Sequence, residues 1–141
     1  MVLTAERSVE FSMVDLANIA YYPRIFDLAH RFFESVWPEI CGQTYPHIIN
    51  TRRLGFPVVN VQSEFKHPLR YGDTITARIT FTKVGTTSLV WRYRFFNQDN
   101  QLVWYSTQTT VCVDMDTMEP QTIPDDVRKG VLLHLEPEAS S

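Results

Sequence analysis

The sequence lacks the features that mark several common classes of protein. Its two cysteines, Cys41 and Cys112, are far apart and form no CxxC pair, so we expect buried free thiols in a reducing compartment. No apolar run approaches the ~20 residues of a membrane span. The net charge of -3, without a long basic run, disfavours a nucleic-acid partner. The N terminus has no signal-peptide pattern, so we predict a cytoplasmic protein with no membrane or nucleic-acid partner.

Motifs for phosphate binding, nucleophilic catalysis and zinc binding are also absent. The chain contains no GxGxxG, GxxxxGK[ST], GxSxG or HExxH segment. No two of the four histidines lie three or four residues apart, so we predict no metal and no cofactor. Cys41 would act as a nucleophile only beside a base, which the sequence does not place there, and a structural thiol is the better interpretation.

The length and the hydrophobic pattern indicate one domain with a sheet and a helix. A chain of 141 residues fits a single domain, with a core over about residues 7–114 and a C-terminal extension over 115–141 that ends in a frayed tail. Alternating or helical spacing predicts a strand Ser8–Val14, a helix Pro23–Val36, strands Pro57–Lys66, Thr74–Val84, Thr87–Phe96 and Leu102–Val113, and a helix Asp125–Leu133. Cys41–Phe56 is expected to be a connection, and turns are expected at Pro68–Asp73 and Asn97–Asn100.

This order of elements predicts an α+β fold. The last four strands are expected to form a meander and hence an antiparallel sheet, against which one wide-faced helix must pack. The strand Pro57–Lys66 is expected to point Val59, Val61 and Phe65 to one face. A single helix covers one face of the sheet, and the aromatic strand around Trp91 leaves more surface to bury. We therefore expect a homo-oligomer.

Asp15 is an acidic residue at a position predicted to face the core. It continues the apolar face of Val9, Phe11 and Met13, where an ionised carboxylate is costly unless donors meet it. One interpretation is that Asp15 caps a turn or the entry to the following helix. The other is that it lies in a cleft beside the N-terminal end of that helix, which carries positive potential.

The segment Phe11–Pro23, FSMVDLANIAYYP, resembles the F-x-x-x-D-x-A-G-[IV]-[VA]-[YW]-x-P segment of the 4-hydroxybenzoyl-CoA thioesterase group of the hotdog-fold superfamily. The likeness extends to RIFDLAHRFFE and to FPVVNVQSEFKHPLRYGDTI, and so covers roughly Arg7 to Val113. It implies a hotdog fold, in which a curved five-stranded antiparallel sheet wraps around one long central helix. It also implies a dimer, or a tetramer made of two dimers, with the active site at the dimer interface.

The resemblance carries specific roles to matching residues. Asp15 matches the catalytic aspartate, a nucleophile or general base, and the backbone N–H of Tyr22 matches the donor that polarises the thioester carbonyl. Asn18 stands where the family has glycine, and Leu16 stands where close examples have proline. The segment Lys83–Ser88 lacks a basic cluster that one family member uses for the phosphates of CoA, so Lys83, Arg92 and Arg94 are the alternative candidates.

The function implied is an acyl-CoA thioesterase that acts on aryl or medium to long acyl groups. The expected substrate-binding residues are Asn18, Tyr21, Phe26, Phe56, Ser88 and Trp91, although aromatic residues of this kind more often belong to a core. Two alternatives stay open: a non-catalytic module that binds acyl or aromatic ligands, and a hotdog hydratase. The hydratase needs a histidine in the aspartate's own loop, and none follows Asp15 before His30.

Overall fold

The computed structural model describes residues 2–10 and 22–136. The strands are β1 (Leu3–Ser8), β2 (Leu54–Gly55), β3 (Val58–Phe65), β4 (Thr74–Val84), β5 (Ser88–Phe96), β6 (Leu102–Val111) and β7 (Val113–Asp114). The helices are α1 (Tyr22–Ser35), α2 (Trp37–Cys41), α3 (Tyr45–Asn50) and α4 (Asp125–Leu132). None of the helices in these ranges is long and apolar enough to cross a membrane. The predicted tail Pro137–Ser141 lies outside the described residues.

The main sheet has five antiparallel strands in the order β1-β4-β5-β6-β3. The predicted strands β4, β5 and β6 form a meander, but β3 is not part of it. β3 pairs with β6 at one edge of the sheet, while β4, the next strand along the chain, pairs with β1 and β5. The prediction of a four-strand meander was therefore wrong, because hydrophobic alternation identifies strands without specifying their neighbours. β2 and β7 form a separate two-stranded sheet.

Helix α1 packs on one face of the sheet and confirms the α+β class. The Phe32 ring packs edge to face on the Phe95 ring of β5, with ring centroids 5.3 Å apart. The ring centroids of Phe33 and Trp91 are 4.8 Å apart. The helix has 14 residues and is not one long element. Pro38, just past the end of α1, lies in the first turn of α2.

The segment predicted as a plain connection contains further elements. Pro46 lies in the first turn of α3, where the Oγ1 atom of Thr44 accepts a hydrogen bond from the N–H of His47. Leu54–Gly55 then forms β2. The prediction for Cys41–Phe56 was wrong because it took Pro46 as a mark of irregular structure, whereas proline is favoured at the start of a helix.

The two edge strands of the main sheet are β1 and β3. The first strand was expected at Ser8–Val14 but runs from Leu3 to Ser8, and positions 11–14 lie outside the described residues. β3 lies within the predicted Pro57–Lys66, and the apolar side chains predicted to share one face, Val59, Val61 and Phe65, are 61%, 43% and 50% exposed. α1 reaches this face through the Phe26 ring, whose centroid lies 6.3 Å from that of Phe65, and leaves these side chains largely exposed.

The C-terminal segment contributes to the same core as the sheet. Ile123, Val127 and Val131 belong to the hydrophobic cluster that contains Trp91 and Phe95. α4 packs closely on α2, and a Cβ atom placed on Gly130 would lie 1.7 Å from the carbonyl oxygen of Ile40. Residues beyond position 114 are thus integrated with the domain.

Candidate functional site

Two cavities lie along α1 on the side of β3. The first, called here the helix-start cavity, has a volume of about 290 Å³. It lies between the first turn of α1, the end of β3 and the loop that follows β3. Its lining residues are Tyr22, Ile25, Phe65, Lys66, His67, Pro68 and Leu69.

Tyr22 is the first residue of α1, and its catalytic role stays a prediction. The N-terminal end of a helix carries the positive end of the helix macrodipole, and the first turn of α1 contains no acidic side chain to neutralise it. The Tyr22 side chain is exposed at the mouth of the cavity. Asp15, Asn18 and Tyr21 lie outside the described residues, so their positions relative to Tyr22 stay a prediction.

The loop after β3 forms the floor of this cavity, and its conformation is fixed by hydrogen bonds. The N–H groups of Lys66 and His67 both donate to the carbonyl of Val103. At the other end the Asp73 carboxylate accepts from the N–H of Arg70 at 2.8 Å, which closes the predicted turn. The floor of the cavity therefore has one fixed conformation against which a ligand could pack.

The second cavity, called here the sheet-side cavity, has a volume of about 220 Å³ and lies between α1, β3 and β6. Its lining residues are Phe26, His30, Phe33, Val58, Val61 and Gln108. Phe26 was predicted to bind substrate, whereas Gln108 and the other lining residues were not. Gln108 lies on the same side of β6 as the buried Trp104. A polar amide at a position that the alternation assigns to the core side was the signal in the sequence, and it was missed.

The side of β6 that faces α1 carries an ordered set of polar groups. The hydroxyls of Ser63 and Ser106 hydrogen-bond across the strands at 2.8 Å, and the Gln108 Nε2 donates to Ser106 Oγ at 3.3 Å. Ser106 in turn donates to the carbonyl of Gln62 at 3.1 Å. Buried polar groups are tolerated when they are hydrogen-bonded in this way.

Two residues predicted to bind substrate lie in the core. Trp91 is fully buried, and its Nε1 donates to the Thr110 hydroxyl at 2.9 Å. Phe56 is 1% exposed and packs on Trp37, with ring centroids 4.7 Å apart. For both, the alternative interpretation as core residues describes their observed environment.

Arg92 and Arg94, predicted to contact CoA phosphates, lie on the sheet face opposite α1. Both guanidinium groups bind the carboxylate of Glu136, at 2.6 Å and 2.7 Å. Burial alone would raise the pKa of Glu136, but hydrogen bonds from Arg94 and Thr80 and the arginine charges hold that pKa below its usual value. The structure does not bring these arginines together with Tyr22 or Phe26.

Lys83 and Ser88 lie at the end of the sheet where β4 turns into β5. Lys83 is exposed and pairs with Val90, and Ser88 is half-buried and pairs with Val111. On β6, Val111 follows Thr110, and Thr110 pairs with Val58 of β3. The end of the sheet that carries Ser88 is therefore also the end at which Val58 lies. Within the chain, these two residues are remote from the helix-start cavity at the Phe65 end.

The cysteines do not form a reactive centre. Both are free thiols, with Cys112 buried and Cys41 half-buried. Burial raises the pKa of both thiols, that of Cys112 to about 11, which keeps them protonated and poorly nucleophilic. Across the described ranges, no group of three or more His, Cys, Asp or Glu side chains is placed to hold a metal ion.

Comparisons with known proteins identify the family of the chain. A model of the Thioesterase-like superfamily matches residues 9–131. A 1,4-dihydroxy-2-naphthoyl-CoA hydrolase of Crocosphaera subtropica is 26% identical over 98 residues, which is 70% of this chain and 71% of the relative.

Two solved structures share the fold. A thioesterase-superfamily protein of Jannaschia sp. CCS1 superposes with a TM-score of 0.89 at 22% identity, covering 96% of this chain and 94% of the other. A 1,4-dihydroxy-2-naphthoyl-CoA thioesterase from Synechocystis gives a TM-score of 0.83 at 20% identity, covering 94% and 96%. At these identities the likeness concerns the fold alone.

Proposed function

The chain belongs to the Thioesterase-like superfamily and is a thioester hydrolase of the hotdog fold, and we propose that it hydrolyses acyl-CoA thioesters to a free acid and CoA. The acyl group is aryl, or of medium to long length. The observation that carries the proposal is the helix-start cavity of about 290 Å³, which opens directly at the N-terminal end of α1. The superfamily membership of this chain and its similarity to a 1,4-dihydroxy-2-naphthoyl-CoA hydrolase support the same chemistry.

The start of α1 supplies what a thioester needs for hydrolysis. Attack on the carbonyl creates an oxyanion, and a preorganised N–H donor typically contributes about 3 kcal/mol to stabilising it. In the proposed site this donor is the backbone N–H of Tyr22. The leaving thiolate belongs to a thiol with a pKa of about 8.5 by analogy with cysteine, so it departs without a strong general acid.

Asp15 is the proposed catalytic carboxylate. It either attacks the carbonyl to form a mixed anhydride, which water then hydrolyses, or it activates a water as general base. Both routes place the carboxylate near the Tyr22 N–H and the thioester carbon. Asn18 and Tyr21 are the proposed neighbours of the acyl group in the same segment.

The edge strand β3 is the proposed contact between two copies of the chain. Among the described strands β6 is its only neighbour, and the exposed apolar side chains of β3 are Val58, Val59, Val61 and Phe65. Exposed apolar edge strands pair with other strands unless they are protected. An antiparallel pairing about a two-fold axis would cover β3 and join two sheets, and such dimers could pair further into tetramers.

The same pairing would place Lys83 and Ser88 of one copy near the helix start of the other. An antiparallel pair brings the Phe65 end of one β3 beside the Val58 end of its partner. Lys83 is then the favoured contact for a CoA phosphate, because Arg92 and Arg94 already bind Glu136 on the opposite face. Register shifts in the β3–β6, β4–β5 and β5–β6 pairs support a sheet that curves around α1.

A hydrolysis screen over short, long and aromatic acyl-CoAs, with detection of free thiol, tests this function. The Asp15→Asn variant should fold normally and lose at least about 100-fold in kcat/KM, the scale of a positioned catalytic group. Asp99→Asn, in the exposed hairpin turn, is the matched control and should retain activity. Tight binding of acyl-CoA without turnover by the unaltered protein would indicate the ligand-binding module instead.

A further inference from the structure

We propose that Arg128 of α4 is a positioning residue for CoA: it fixes the turn between β4 and β5, residues 85–87, in the conformation that binds a phosphate of CoA together with Lys83. These three residues are called here the β4–β5 turn. The inference rests on the proposed function, in which Lys83 is the favoured phosphate contact, and deepens it. It gives the C-terminal segment a role in substrate binding through contacts within its own chain.

Arg128 holds the β4–β5 turn by its backbone carbonyls. The Nη2 atom of Arg128 donates to the carbonyl of Gly85 at 2.8 Å and to that of Thr86 at 3.2 Å. The N–H of Ile123, which precedes α4, also donates to the Thr86 carbonyl, at 3.0 Å. Hydrogen bonds from a guanidinium group are stronger than those between neutral groups, so Arg128 supplies the larger part of this support.

The direction of these carbonyls sets the direction of two N–H groups in the turn. The described peptide bonds are all trans, and in a planar trans peptide the N–H is directed opposite to the C=O. The carbonyls of Gly85 and Thr86 both point to Arg128, so the N–H groups of Thr86 and Thr87 both point away from it. Successive N–H groups that share a direction form a concave site that suits an anion.

Contacts on both sides of Arg128 anchor α4. The carboxylate of Asp126 accepts two hydrogen bonds from the guanidinium group of Arg52, at 2.7 Å and 2.9 Å. Two residues after Arg128, Gly130 packs directly on the backbone of Ile40. The Arg128 side chain therefore reaches the β4–β5 turn from a fixed support. A turn that is already ordered loses less conformational entropy when a ligand binds to it.

The exposure of these residues assigns Arg128 to positioning and not to direct contact. Arg128 is half-buried against the turn, whereas Lys83 and Thr86 are exposed. A phosphate that arrives from solvent therefore meets the exposed groups, and Arg128 supports the turn from the other side. A hydrogen bond accepted by a carbonyl also polarises its peptide unit and strengthens the bond that the N–H of this unit donates.

Calorimetric titration with free CoA tests the binding step. Arg128→Met should raise the Kd for CoA about tenfold, the scale of one hydrogen bond to a charged group. Arg128→Lys keeps the charge but loses the planar group that bonds two carbonyls, so it should also raise the Kd and serves if Arg128→Met does not fold. Lys129→Met removes the same charge from an exposed position of α4 and should leave the Kd unchanged. An unchanged Kd in the Arg128 variants, or an equal rise in Lys129→Met, would overturn the inference.

Steady-state hydrolysis separates positioning from a general loss of structure. The substrates are thioesters of the acyl group preferred in the hydrolysis screen, made with CoA and with pantetheine, which lacks the phosphates. Arg128→Met should raise KM about tenfold for the CoA thioester with kcat unchanged, and should alter neither constant for the pantetheine thioester. A fall in kcat with both substrates would assign Arg128 a purely structural role and contradict the inference. Failure of the proposed function is seen separately, as full activity in Asp15→Asn or as no hydrolysis of either thioester by the unaltered protein.

Discussion

Phe26 and Phe65 meet edge to face, with ring centroids 6.3 Å apart and planes at 74°. Phe65 lines the helix-start cavity and Phe26 lines the sheet-side cavity, so this aromatic pair forms the partition between the two. Phe26 also packs on Trp104 at 5.6 Å, which fixes its ring. The two cavities of one chain are thus separated by side chains and not by backbone.

Removing the partition should change substrate length preference. Phe26→Ala would join the two cavities of one chain, so the optimum should move to longer acyl groups. The half-buried ring also contributes packing, and we expect a loss of about 2 kcal/mol in the free energy of unfolding. A series of straight-chain acyl-CoAs measures the shift. Phe96→Ala, on the opposite sheet face, is the control, and an unchanged length profile in Phe26→Ala would contradict the partition.

A charge on the exposed edge should break the proposed dimer. In Val59→Lys a lysine replaces a side chain that is 61% exposed on β3, and an ammonium group covered by a second copy would be desolvated. We expect the molar mass measured by light scattering to fall to that of one chain, with loss of hydrolysis. Val2→Lys, half-exposed at the start of the chain, should leave the mass unchanged. An unchanged mass in Val59→Lys would place the interface elsewhere.

Glu136 should stabilise the fold in a pH-dependent way. Its pKa in the folded protein is below the usual value, so its contribution is present above the pKa of about 4.3 of an unfolded glutamate and is lost as the pH falls through the folded value. Because its carboxylate is 16% exposed and binds two arginines, Glu136→Gln should cost about 2 kcal/mol at pH 7.

Urea unfolding of Glu136→Gln across pH 7 to pH 3 measures this effect. The difference from the unaltered protein should shrink as the pH approaches 3. Glu119→Gln changes the same residue type at an exposed position and should show little difference at any pH. A constant difference between the Glu136 variant and the unaltered protein would mean that packing, and not ionisation, accounts for the loss.

Gly130 should tolerate no side chain. In Gly130→Ala the new Cβ would lie 1.7 Å from the backbone oxygen of Ile40, which cannot move without displacing α2 from α4. We expect a loss of about 3 kcal/mol or more in the free energy of unfolding, since overpacking against backbone finds no easy relief. Thermal or chemical unfolding measures it. Lys129→Ala, exposed on the same helix, should change stability by less than about 0.5 kcal/mol.

The sequence predicted best the elements whose pattern directly reflects burial. The alternation of Ile75, Ala77, Ile79 and Phe81 placed β4 at its observed limits because each of these side chains is buried against the core. The helical spacing around Phe32 likewise located α1 to within one residue at each end. In both elements the buried apolar residues recur at a regular spacing along most of the element.

Elements at the edges were harder to predict. β1 reads LTAERS, and Leu3 is its only fully buried residue, so it shows no strong alternation. β3 alternates, but alternation does not say whether its apolar face meets the same chain or another one. The separation of β3 from β4 is also invisible to local pattern, because it depends on which strand completes the sheet.

The candidate site was predicted only in part for the same reason. Tyr22 and Phe26 belong to a segment whose pattern resembles a known family, and both line a cavity. Gln108 belongs to β6 and reaches the cavity only through the pairing of β6 with β3. Phe56 and Trp91 have the aromatic character of pocket residues, but core packing uses the same side chains.

The place of β3 beside β6 also affects how the protein is made. Phe65 pairs with Trp104 and Val58 with Thr110, so β3 leaves the ribosome well before its partner strand exists. At about 5–20 residues per second, β3 waits about 2–10 seconds, with its valines uncovered, for the chain through Val111. During this interval the apolar edge of β3, the strand that lines both cavities, is open to pairing with the wrong chain.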